Sequence, residues 1–600
     1  MKFILRILML VSVSVSASAG GHPNAGWVSV GPESAGVCDY ASIQEAIDAV
    51  VMATESIHVV AGTYNETLTI EDISVEIVGG YADCAFAEED IRTEGSRSTL
   101  DAVDHGISIH AAPVGDAQNV SITGFNVMNG ESAFPLSGGG INATGNVTVF
   151  LQDSRVAENE GTAGGGIFVG SLTTLFIQNT LIEENNAHSG GGVYCDGCTL
   201  VMNGDSGISD NRAVDGPVES SGGGLYLLNE ATASVLSGSI NPSVDKFGFH
   251  SNQASDFGAG IYMSNSELFM YGDVTAFGFG SYTEPVSITG NSAGVSGGGL
   301  YATNGSVIDA TVIDMRNNNT GDSGAAIFIE DGSSLTIDMK TGESALESCW
   351  SADKTKCNRI SNNYIANGSE TDGQGGAIRS LNSEVRLEHV WFENNSASEG
   401  KGAVIRHQGK FGQGLWIENS VMYENGTANG QDESIIRSNF SDVNMRFNTL
   451  VDNSMSNHIV ELIGTAGDDL NLYNNIIHNE NGGEVLALAA VGGVPNITVG
   501  CVLVHDESTI PAVATGVFVG DPNFYDREAG DLHLTSNSHQ AVDKCIAAPG
   551  MVTVDVDLED RIHDVSGMGN DLSIGIVDIG ADEFSGNDID LDIIFADGFE

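Results

Sequence analysis

Basic side chains are scarce in this sequence of 600 residues. There are 22 Lys and Arg against 81 Asp and Glu, which gives a formal net charge of −59 and a pI near 4.1. Proteins that bind nucleic acid neutralise its phosphates with a basic surface, so this deficit argues strongly against a nucleic-acid partner. It also disfavours docking on anionic lipid.

Proline is scarce as well, with 11 residues, whereas glycine is abundant, with 77. Because the glycines follow no Gly-X-Y period, a collagen triple helix is excluded. Hydrophobic residues make up 41% of the chain, which is enough for a real core, so wholesale disorder is not expected. Length alone would suggest about four domains, but a repeat array overturns such an estimate.

Long apolar runs are missing, apart from one at the N-terminus. There Lys2 and Arg6 precede an apolar run that ends at Ala17-Ser-Ala19. This pattern is typical of a secretory signal, so residues 1–19 are predicted to be a signal peptide cleaved after Ala19. A membrane span needs ~20 apolar residues, and no stretch reaches that length. We therefore expect a secreted or cell-surface protein with no membrane span after signal removal.

The cysteines are few but even in number, eight in all, and partly clustered. This usage favours structural disulfides in an exported protein. A zinc site would need a second close pair of the Cys-x-x-Cys kind, which the sequence lacks. The spacing suggests the pairs Cys38 with Cys84, Cys195 with Cys198, Cys349 with Cys357, and Cys501 with Cys545, although it does not fix the pairing.

A repeat begins at about residue 120. It reads apolar-x-x-Asn, a short polar turn, then a glycine block followed by an apolar and an aromatic residue. The shortest spacing is 26 residues, and a period in this range indicates a solenoid. The Asn positions are Asn159, Asn185, Asn211, Asn252, Asn291, Asn318, Asn363, Asn395, Asn425, Asn453 and Asn479.

The local chemistry indicates which kind of solenoid this is. Short β-rich runs such as Val147–Leu151 and Thr174–Ile177 lie between the glycine blocks, and helical periodicity is absent there. Such runs suit parallel coils whose strands pair with the next coil about 4.8 Å away. Asn tolerates a left-handed backbone and can hydrogen-bond along a ladder of its own kind. The predicted fold is all-β, a single-stranded right-handed parallel β-helix.

A solenoid end exposes unpaired backbone and has to be covered. Ser42-Ile-Gln-Glu45 forms a capping box, and Ile43, Ala46, Ile47, Val50 and Val51 follow a helical stripe, so we predict a short N-terminal capping helix. The predicted organisation is a signal at 1–19, the cap and first coils at 20–110, the repeat domain at 111–500, a β-rich closing module at 501–585 and an acidic tail at 586–600.

Several motifs resemble known families. Ala41–Ile47 and Val60–Glu66 resemble the opening of pectin-lyase-like right-handed parallel β-helix proteins, and the repeats resemble those of polymorphic outer membrane proteins. The segments Asp521–Phe524, Gly530–Leu534, Ala541–Asp543 and Asp578–Glu583 are similar to the closing module of bacterial surface β-helix proteins, and Ile594–Glu600 is similar to an ending of exported bacterial proteins. The resemblance implies a β-helix fold and bacterial export, and implies little about activity.

The residue after the apolar one in each glycine block forms a series of its own. Strand alternation predicts that it points outward, so stacked coils would present an aromatic stripe that continues as an arginine stripe. Flat aromatics suit sugar rings, and arginine suits carboxylate or sulfate. Alternatively, the rings only stabilise the sheet and each Arg pairs with an acidic neighbour. The series is Phe168, Tyr194, Tyr226, Tyr262, Tyr301, Phe328, Arg379, Arg406 and Arg437.

A polyuronate lyase or hydrolase is an alternative to a binding scaffold. β-Elimination needs a base and a group that neutralises the substrate carboxylate, and Arg406, His407 and Lys410 are the candidates. The motifs of pectin methylesterases, polygalacturonases and alginate epimerases are absent. Calcium is a possible ligand of the acidic runs Asp555–Asp560 and Asp588–Asp592, which otherwise serve as a solubilising surface.

These observations favour an exported, adhesin-like scaffold whose partner is a polysaccharide or a cell-surface glycan. The enzymatic alternative places a polysaccharide-degrading site near residues 379–410. A third alternative is a purely structural stalk, in which acidity serves only solubility.

Overall fold

A computed structural model describes most of the chain. It covers residues 26–32, 37–49, 56–93, 95–132, 138–214, 219–236, 247–272, 285–339, 358–366, 374–398, 400–410, 412–427, 432–479, 484–506, 510, 514–546, 554–556, 560–562, 565 and 576–584. The predicted signal peptide, the predicted pair of Cys349 with Cys357 and the acidic tail lie outside these residues.

The described chain is a parallel β-helix, as predicted. Successive coils each contribute strands to long parallel sheets, one of 30 strands, one of 14 and one of 7. The largest sheet contains two stacks, which merge when Asp469–His478 pairs with both Val443–Arg446 and Thr449–Val451. We refer to the two stacks of the largest sheet as the first and second stacks, to the 14-stranded sheet as the third stack and to the 7-stranded sheet as the fourth stack.

The first stack consists of Trp27–Val30, Ser56–Val60, Val75–Tyr81, Gln118–Thr123, Val147–Gln152, Thr174–Gln178, Thr199–Asn203, Thr232–Leu236, Glu267–Tyr271, Val307–Thr311, Ser334–Ile337, Glu384–Glu388, Leu415–Glu418, Val443–Arg446, Asp469–His478, Asn496–Val504 and Thr515–Val519. The second stack consists of Thr63–Tyr64, Ser98–Asp101, Phe125–Met128, Arg155–Ala157, Leu181–Glu183, Gly207–Ser209, Gly248–His250, Val286–Thr289, Ile313–Arg316, Asn358–Ser361, Val390–Glu393, Val421–Tyr423 and Thr449–Val451.

The third stack consists of Leu68–Glu71, Ile107–Ala111, Ile141–Gly145, Ile167–Val169, Val193–Asp196, Leu225–Leu228, Ile261–Ser264, Leu300–Thr303, Ile327–Glu330, Ile378–Leu381, Lys401–Gln408, Ser434–Asn439, His458–Gly464 and Glu484–Ala490. The fourth consists of Glu160–Ala163, Asn186–Ser189, Arg212–Ala213, Gln253–Ala254, Ser292–Ala293, Asn319–Thr320 and Tyr364–Ile365. Cys545–Ile546 and Ile576–Val577 form a separate antiparallel pair.

Alternation along each strand separates the core from the surface. In Thr174–Gln178, Leu175 and Ile177 are 1% exposed, whereas Phe176 between them points outward and stacks on Phe150 of the previous coil. Because the register repeats from coil to coil, the inward aliphatic side chains form one continuous core. Each fully buried Leu or Ile contributes ~1.5–3 kcal/mol of transfer free energy.

The predicted Asn ladder is present inside the solenoid. Each Asn Nδ2 donates to Oδ1 of the next coil at 2.9–3.1 Å, without a break from Asn159 to Asn453. Asn479 does not join the ladder, and its backbone N–H donates to His505. The left-handed residue is the one before each Asn, such as Glu158 with φ 58°, and not the Asn itself. The Asn is therefore selected for its side-chain hydrogen bonds.

The glycine blocks allow neighbouring coils to approach closely. A Cβ on Gly166 would lie 2.7 Å from the carbonyl oxygen of Gly192 and 2.9 Å from Nδ2 of Asn185. The first glycine of a block also takes a left-handed backbone, with φ 72° at Gly164. At Gly166 a side chain would therefore force the neighbouring coil to shift, and at Gly164 it would also strain the left-handed backbone, which explains the glycines of this block.

The predicted N-terminal helix is Ile43–Ala49, with Ile43, Ala46 and Ile47 buried. Its cap differs from the predicted one. Ser42 Oγ accepts from the Glu45 N–H, but the carboxylate that caps the helix belongs to Glu66, which accepts from the N–H groups of Ile43 and Gln44. A second helix, Cys84–Glu88, and a 3₁₀ turn, Arg527–Ala529, were not predicted.

Three of the predicted cysteine pairs are disulfides: Cys38–Cys84, Cys195–Cys198 and Cys501–Cys545. The first ties the second helix to the N-terminal coils, and the last ties the final coils to the C-terminal segment. In the part of the chain that the structure describes, no helix is long and apolar enough to cross a membrane.

The C-terminal segment packs along the side of the solenoid. Leu532, Leu534, Val542, Val577 and Ile579 form a second core with the outer face of the second stack. That face supplies Trp391, Val421, Tyr423, Phe447, Val451 and Ile476. The segment therefore covers the flank of several coils.

One buried cation and several buried carboxylates hold this segment. Arg561 is 0% exposed, lies 4.1 Å over the Phe447 ring and donates to Asn419 Oδ1 at 2.7 Å. Asp555 is also 0% exposed and accepts from the Glu583 N–H, so it is not part of a solvated surface. In the ranges given above, no group of three or more His, Cys, Asp or Glu is placed to hold a metal ion.

Candidate functional site

The third stack brings the predicted stripe together in register. Each member lies directly opposite the next across adjacent parallel strands, from Phe168 to Arg437. We call its two parts the aromatic ladder and the arginine ladder. The aromatic ladder is Phe168, Tyr194, Tyr226, Tyr262, Tyr301 and Phe328, and the arginine ladder is Arg379, Arg406 and Arg437.

The rings of the aromatic ladder stack face to face. Successive ring centroids are 4.5–5.6 Å apart, and the planes are inclined by 4–19°. The faces of the internal rings are therefore covered by their neighbours, and a sugar ring cannot stack on them. Phe168, Tyr194 and Tyr301 are also only 5–7% exposed, so little of the aromatic ladder is accessible to a ligand.

The tyrosine hydroxyls stay protonated at neutral pH. Burial raises the pKa of Tyr194 to about 12 and raises those of Tyr226 and Tyr301 further. The Tyr301 hydroxyl donates to Glu330, at the end of the same stack of rings. The tyrosine rungs are thus neutral, and hydroxyls among them already form hydrogen bonds within the protein, Tyr301 with Glu330 and Tyr226 with Tyr262.

Arg379 and Arg406 are buried without an acidic partner. Each is 6% exposed, and no carboxylate in the described chain lies within ion-pair distance of either. Their guanidinium groups donate to main-chain carbonyls instead, Arg379 to Ser380 at 2.6 Å and Arg406 to His407 at 2.9 Å. The alternative in which every Arg pairs with an acidic neighbour therefore fails at these two rungs.

Burial and like charge act on both groups. Burial lowers the pKa of Arg379 to about 10, although Asp322 and Glu330 oppose the shift. Burial, with Arg379 and Arg437 on either side, lowers the pKa of Arg406 to about 9, although the charge of Glu461 opposes the shift. Both remain cations at neutral pH. A desolvated guanidinium that lacks a counter-ion binds a carboxylate or sulfate through charge-assisted hydrogen bonds.

Arg437 is different from the other two rungs. Its Nη1 donates to Glu461 Oε2 at 2.7 Å and lies 3.6 Å from Glu433 Oε2. The arginine ladder therefore has two rungs without a carboxylate and one rung with its own.

The structure does not bring the three catalytic candidates together. Arg406 points outward from Lys401–Gln408, whereas His407, the next residue, points into the solenoid and is 0% exposed. Burial, with the charges of Arg379 and Arg406, lowers the pKa of His407 to about 3, so it is a poor base at neutral pH. Lys410 lies beyond the strand end and is exposed. His407 is therefore not accessible on the face of the strand that carries Arg406.

A carboxylate pair on the first stack was missed as a site. Glu388 and Glu418 face each other across adjacent strands, and Arg446 lies opposite Glu418 on the next. Burial raises the pKa of Glu388 to about 7, assisted by the charges of Glu418 and Asp338. In the sequence, the pair is marked only by its position. Each Glu follows another outward residue by two positions, as in Arg386–Glu388 and Trp416–Glu418.

A cation–π pair lies beside the two carboxylates. Arg386 and Trp416 are in register two residues before the two carboxylates, on the same outward face. The Arg386 guanidinium lies 4.2 Å from the centre of the Trp416 ring. The C-terminal segment reaches the same coils, since Asn419 donates to the Val554 carbonyl at 2.9 Å. The C-terminal segment thus contacts the residue that follows Glu418.

No protein-family model matches the sequence, and no curated protein is similar to it at a significant level. The functional assignment therefore depends on the geometry of these two sites.

Proposed function

We propose that the protein is an exported, adhesin-like scaffold that binds an acidic polysaccharide along the third stack. The observation that carries this proposal is the pair of buried arginines Arg379 and Arg406, which lie in register on adjacent strands and have no carboxylate within ion-pair distance among the described residues. Acidic side chains are plentiful in a chain with a net charge of −59, so the lack of an ion pair at these two positions of the described chain is significant.

The energetics support an anionic ligand. Burying two like charges next to each other costs free energy, which an external carboxylate or sulfate offsets when it binds. The planar fork of arginine matches such groups. Successive rungs are about 4.8 Å apart, so the ladder suits a linear polymer with one anionic group per monomer.

The sequence supports export and a glycan partner. The predicted signal peptide directs the chain out of the cytoplasm. The motifs that resemble pectin-lyase-like β-helices and polymorphic outer membrane proteins come from exported bacterial proteins. They favour the secreted or cell-surface location in which a polysaccharide would be met.

Calorimetric titration of purified residues 20–600 with polygalacturonate, dextran sulfate and neutral dextran tests this proposal. We expect the acidic polymers to bind, dextran not to bind, and Arg406→Gln to weaken binding at least tenfold. Arg316→Gln is the matched control, because Arg316 is an outward arginine that pairs with Asp314 at 2.7 Å. If dextran binds as well as polygalacturonate, or both variants bind like the native protein, the proposal is wrong.

A second candidate function is glycoside hydrolysis at the carboxylate pair. The observation that favours it is the pairing of two partly buried carboxyl groups in register on adjacent strands. Burial raises the pKa of both, that of Glu388 to about 7, as a general acid requires, while Arg446 and Arg386 oppose the shift at Glu418. Strands about 4.8 Å apart place the two groups on one glycosidic bond.

Chain length, measured by size-exclusion chromatography after incubation with polysaccharides, tests this second candidate. Hydrolysis shortens the polymer and leaves saturated ends, and both Glu388→Gln and Glu418→Gln abolish the shortening. Glu384→Gln is the control, since Glu384 lies on the same face and pairs with Arg386. Unchanged chain length with every polymer, or unsaturated ends, refutes hydrolysis at this pair.

A further inference from the structure

The arginine ladder ends at a carboxylate of the protein itself. Glu461 lies opposite Arg437 on the next strand of the third stack, in the same register as the three arginines. Arg437 Nη1 donates to Glu461 Oε2 at 2.7 Å, and the two side chains are 16% and 19% exposed. The protein thus contains an example of how this ladder binds a carboxylate.

Glu461 is the principal partner of Arg437. The other acidic neighbour, Glu433, is 3.6 Å away, is 38% exposed and lies a similar distance, 3.7 Å, from Lys401 Nζ. A shared, more exposed contact of this length contributes little to binding. Removing Glu461 therefore leaves the Arg437 guanidinium largely without a counter-ion.

Arg379 and Arg406, the two rungs without a carboxylate, have no equivalent of Glu461. In register, Arg406 has only arginine on both sides, and Arg379 has Phe328 and Arg406. The sequence changes from cation to anion only between Arg437 and Glu461. The replacement of Arg by Glu at this one position therefore determines how many arginines of the ladder can bind an anionic ligand.

We propose that the Glu461 carboxylate occupies Arg437, the third rung, in place of a ligand carboxylate. The native site then binds two successive carboxylates of a polyuronate, at Arg379 and Arg406. This inference rests on the proposed function, because it concerns the length and the ligand chemistry of the same site. Glu461→Gln keeps the size of the side chain, removes its charge and opens Arg437 as a third rung.

Titration with polygalacturonate over a range of NaCl concentrations measures the number of rungs. Each additional contact with a polyanion makes the affinity more sensitive to salt, by nearly one unit of slope per charge in nucleic-acid systems. We expect Glu461→Gln to bind polygalacturonate roughly fivefold more tightly than the native protein, which is the gain that one further partly exposed ion pair allows. Its affinity should also fall more steeply as the salt concentration rises.

Two further variants separate this effect from a general change of charge. Glu183→Gln is the matched control, because Glu183 is 12% exposed and pairs with Arg155 at 2.6 Å on the second stack, away from the ladder. It changes the net charge equally and is expected to bind like the native protein. Arg437→Gln combined with Glu461→Gln is expected to return the affinity and the salt slope to native values.

The outcomes distinguish this inference from the function on which it rests. If the native protein binds and Arg406→Gln does not, but Glu461→Gln binds no more tightly than Glu183→Gln, the inference is wrong and the function stands. A gain that survives the addition of Arg437→Gln also overturns it. If neither the native protein nor Glu461→Gln binds polygalacturonate, both the function and the inference fail.

Discussion

The aromatic ladder and the arginine ladder occupy the same position of the same stack, yet they contribute differently to stability. Neighbouring rings attract one another and exclude water, so the aromatic rungs stabilise the coils that carry them. Neighbouring guanidinium groups repel, and two of them lack a counter-ion in the described chain. Unfavourable interactions that persist in the folded protein, such as this repulsion, are expected at functional positions.

The inward neighbours of the two ladders differ in the same way. Behind the aromatic rungs the interior is apolar, as at Leu227 and Ile329. The residues that precede the arginine rungs are apolar too, but those that follow them are polar, with Ser380, His407 and Ser438 in register. Both faces of the strand therefore change between the same two coils, which marks the arginine region as a specialised part of a regular solenoid.

The largest expected effect is a loss of stability in the aromatic region. Tyr226 is stacked on both sides, 4.7 Å from Tyr194 and 4.5 Å from Tyr262. Tyr226→Ala removes both contacts and leaves a gap in the ladder, and should lower the free energy of unfolding by about 3 kcal/mol. Urea denaturation followed by circular dichroism measures this. Tyr364→Ala is the control, because Tyr364 is 46% exposed, and equal losses in both variants would contradict the role of stacking.

A smaller effect is expected from pH at His407. The pKa of this buried side chain is about 3 in the folded protein, below the ordinary value of 6.5. As pH falls below 6.5 the unfolded chain takes up a proton that the folded protein does not, so stability present above pH 6.5 is lost progressively towards pH 3. The loss is up to about 1.4 kcal/mol per pH unit.

His407→Leu removes this dependence. Between pH 6.5 and pH 5 we expect the variant to lose about 2 kcal/mol less stability than the native protein. Leucine suits the position, since the inward residue one strand beyond Ser438 is Leu462. His110→Leu, at an exposed site of the same stack, is the control for replacing a histidine by leucine. Parallel pH profiles of His407→Leu and the native protein would refute the prediction.

The smallest effect separates the two ladders most clearly. Arg406→Met replaces an unpaired buried cation with an apolar side chain of similar length, so stability should be unchanged or higher by about 1 kcal/mol. Arg155→Met removes a cation that pairs with Glu183 and Glu184, and should lower stability by up to about 1 kcal/mol. Urea midpoints of the two variants measure the difference. A clear loss with Arg406→Met would show that the arginine ladder is structural.

The fold was predictable because its signals are local and repeated. The spacing of the Asn residues gave the coil, and alternation within each short strand correctly placed the ladder residues on one outward line. Side chains that meet across coils were harder to predict, because insertions of variable length separate them. Glu461 follows no glycine block, so its place opposite Arg437 could not be read from the repeat.

Long-range packing was the least predictable part. Glu66 caps a helix more than 20 residues earlier in the chain, and Asn419 contacts Arg561 across 142 residues. Neither contact has a sequence pattern of its own. The inward position of His407 followed from alternation with Arg406, so the sequence already indicated that these two candidates lie on opposite faces of the strand.

The most direct test of the central claim is a calorimetric titration of the native protein and of Arg406→Met with polygalacturonate. Urea denaturation first shows that both proteins unfold at the same urea concentration. The account predicts that the native protein binds and that Arg406→Met binds at least tenfold more weakly while remaining as stable. Native affinity in Arg406→Met would contradict it, because the unpaired guanidinium would then have no part in recognising the polymer.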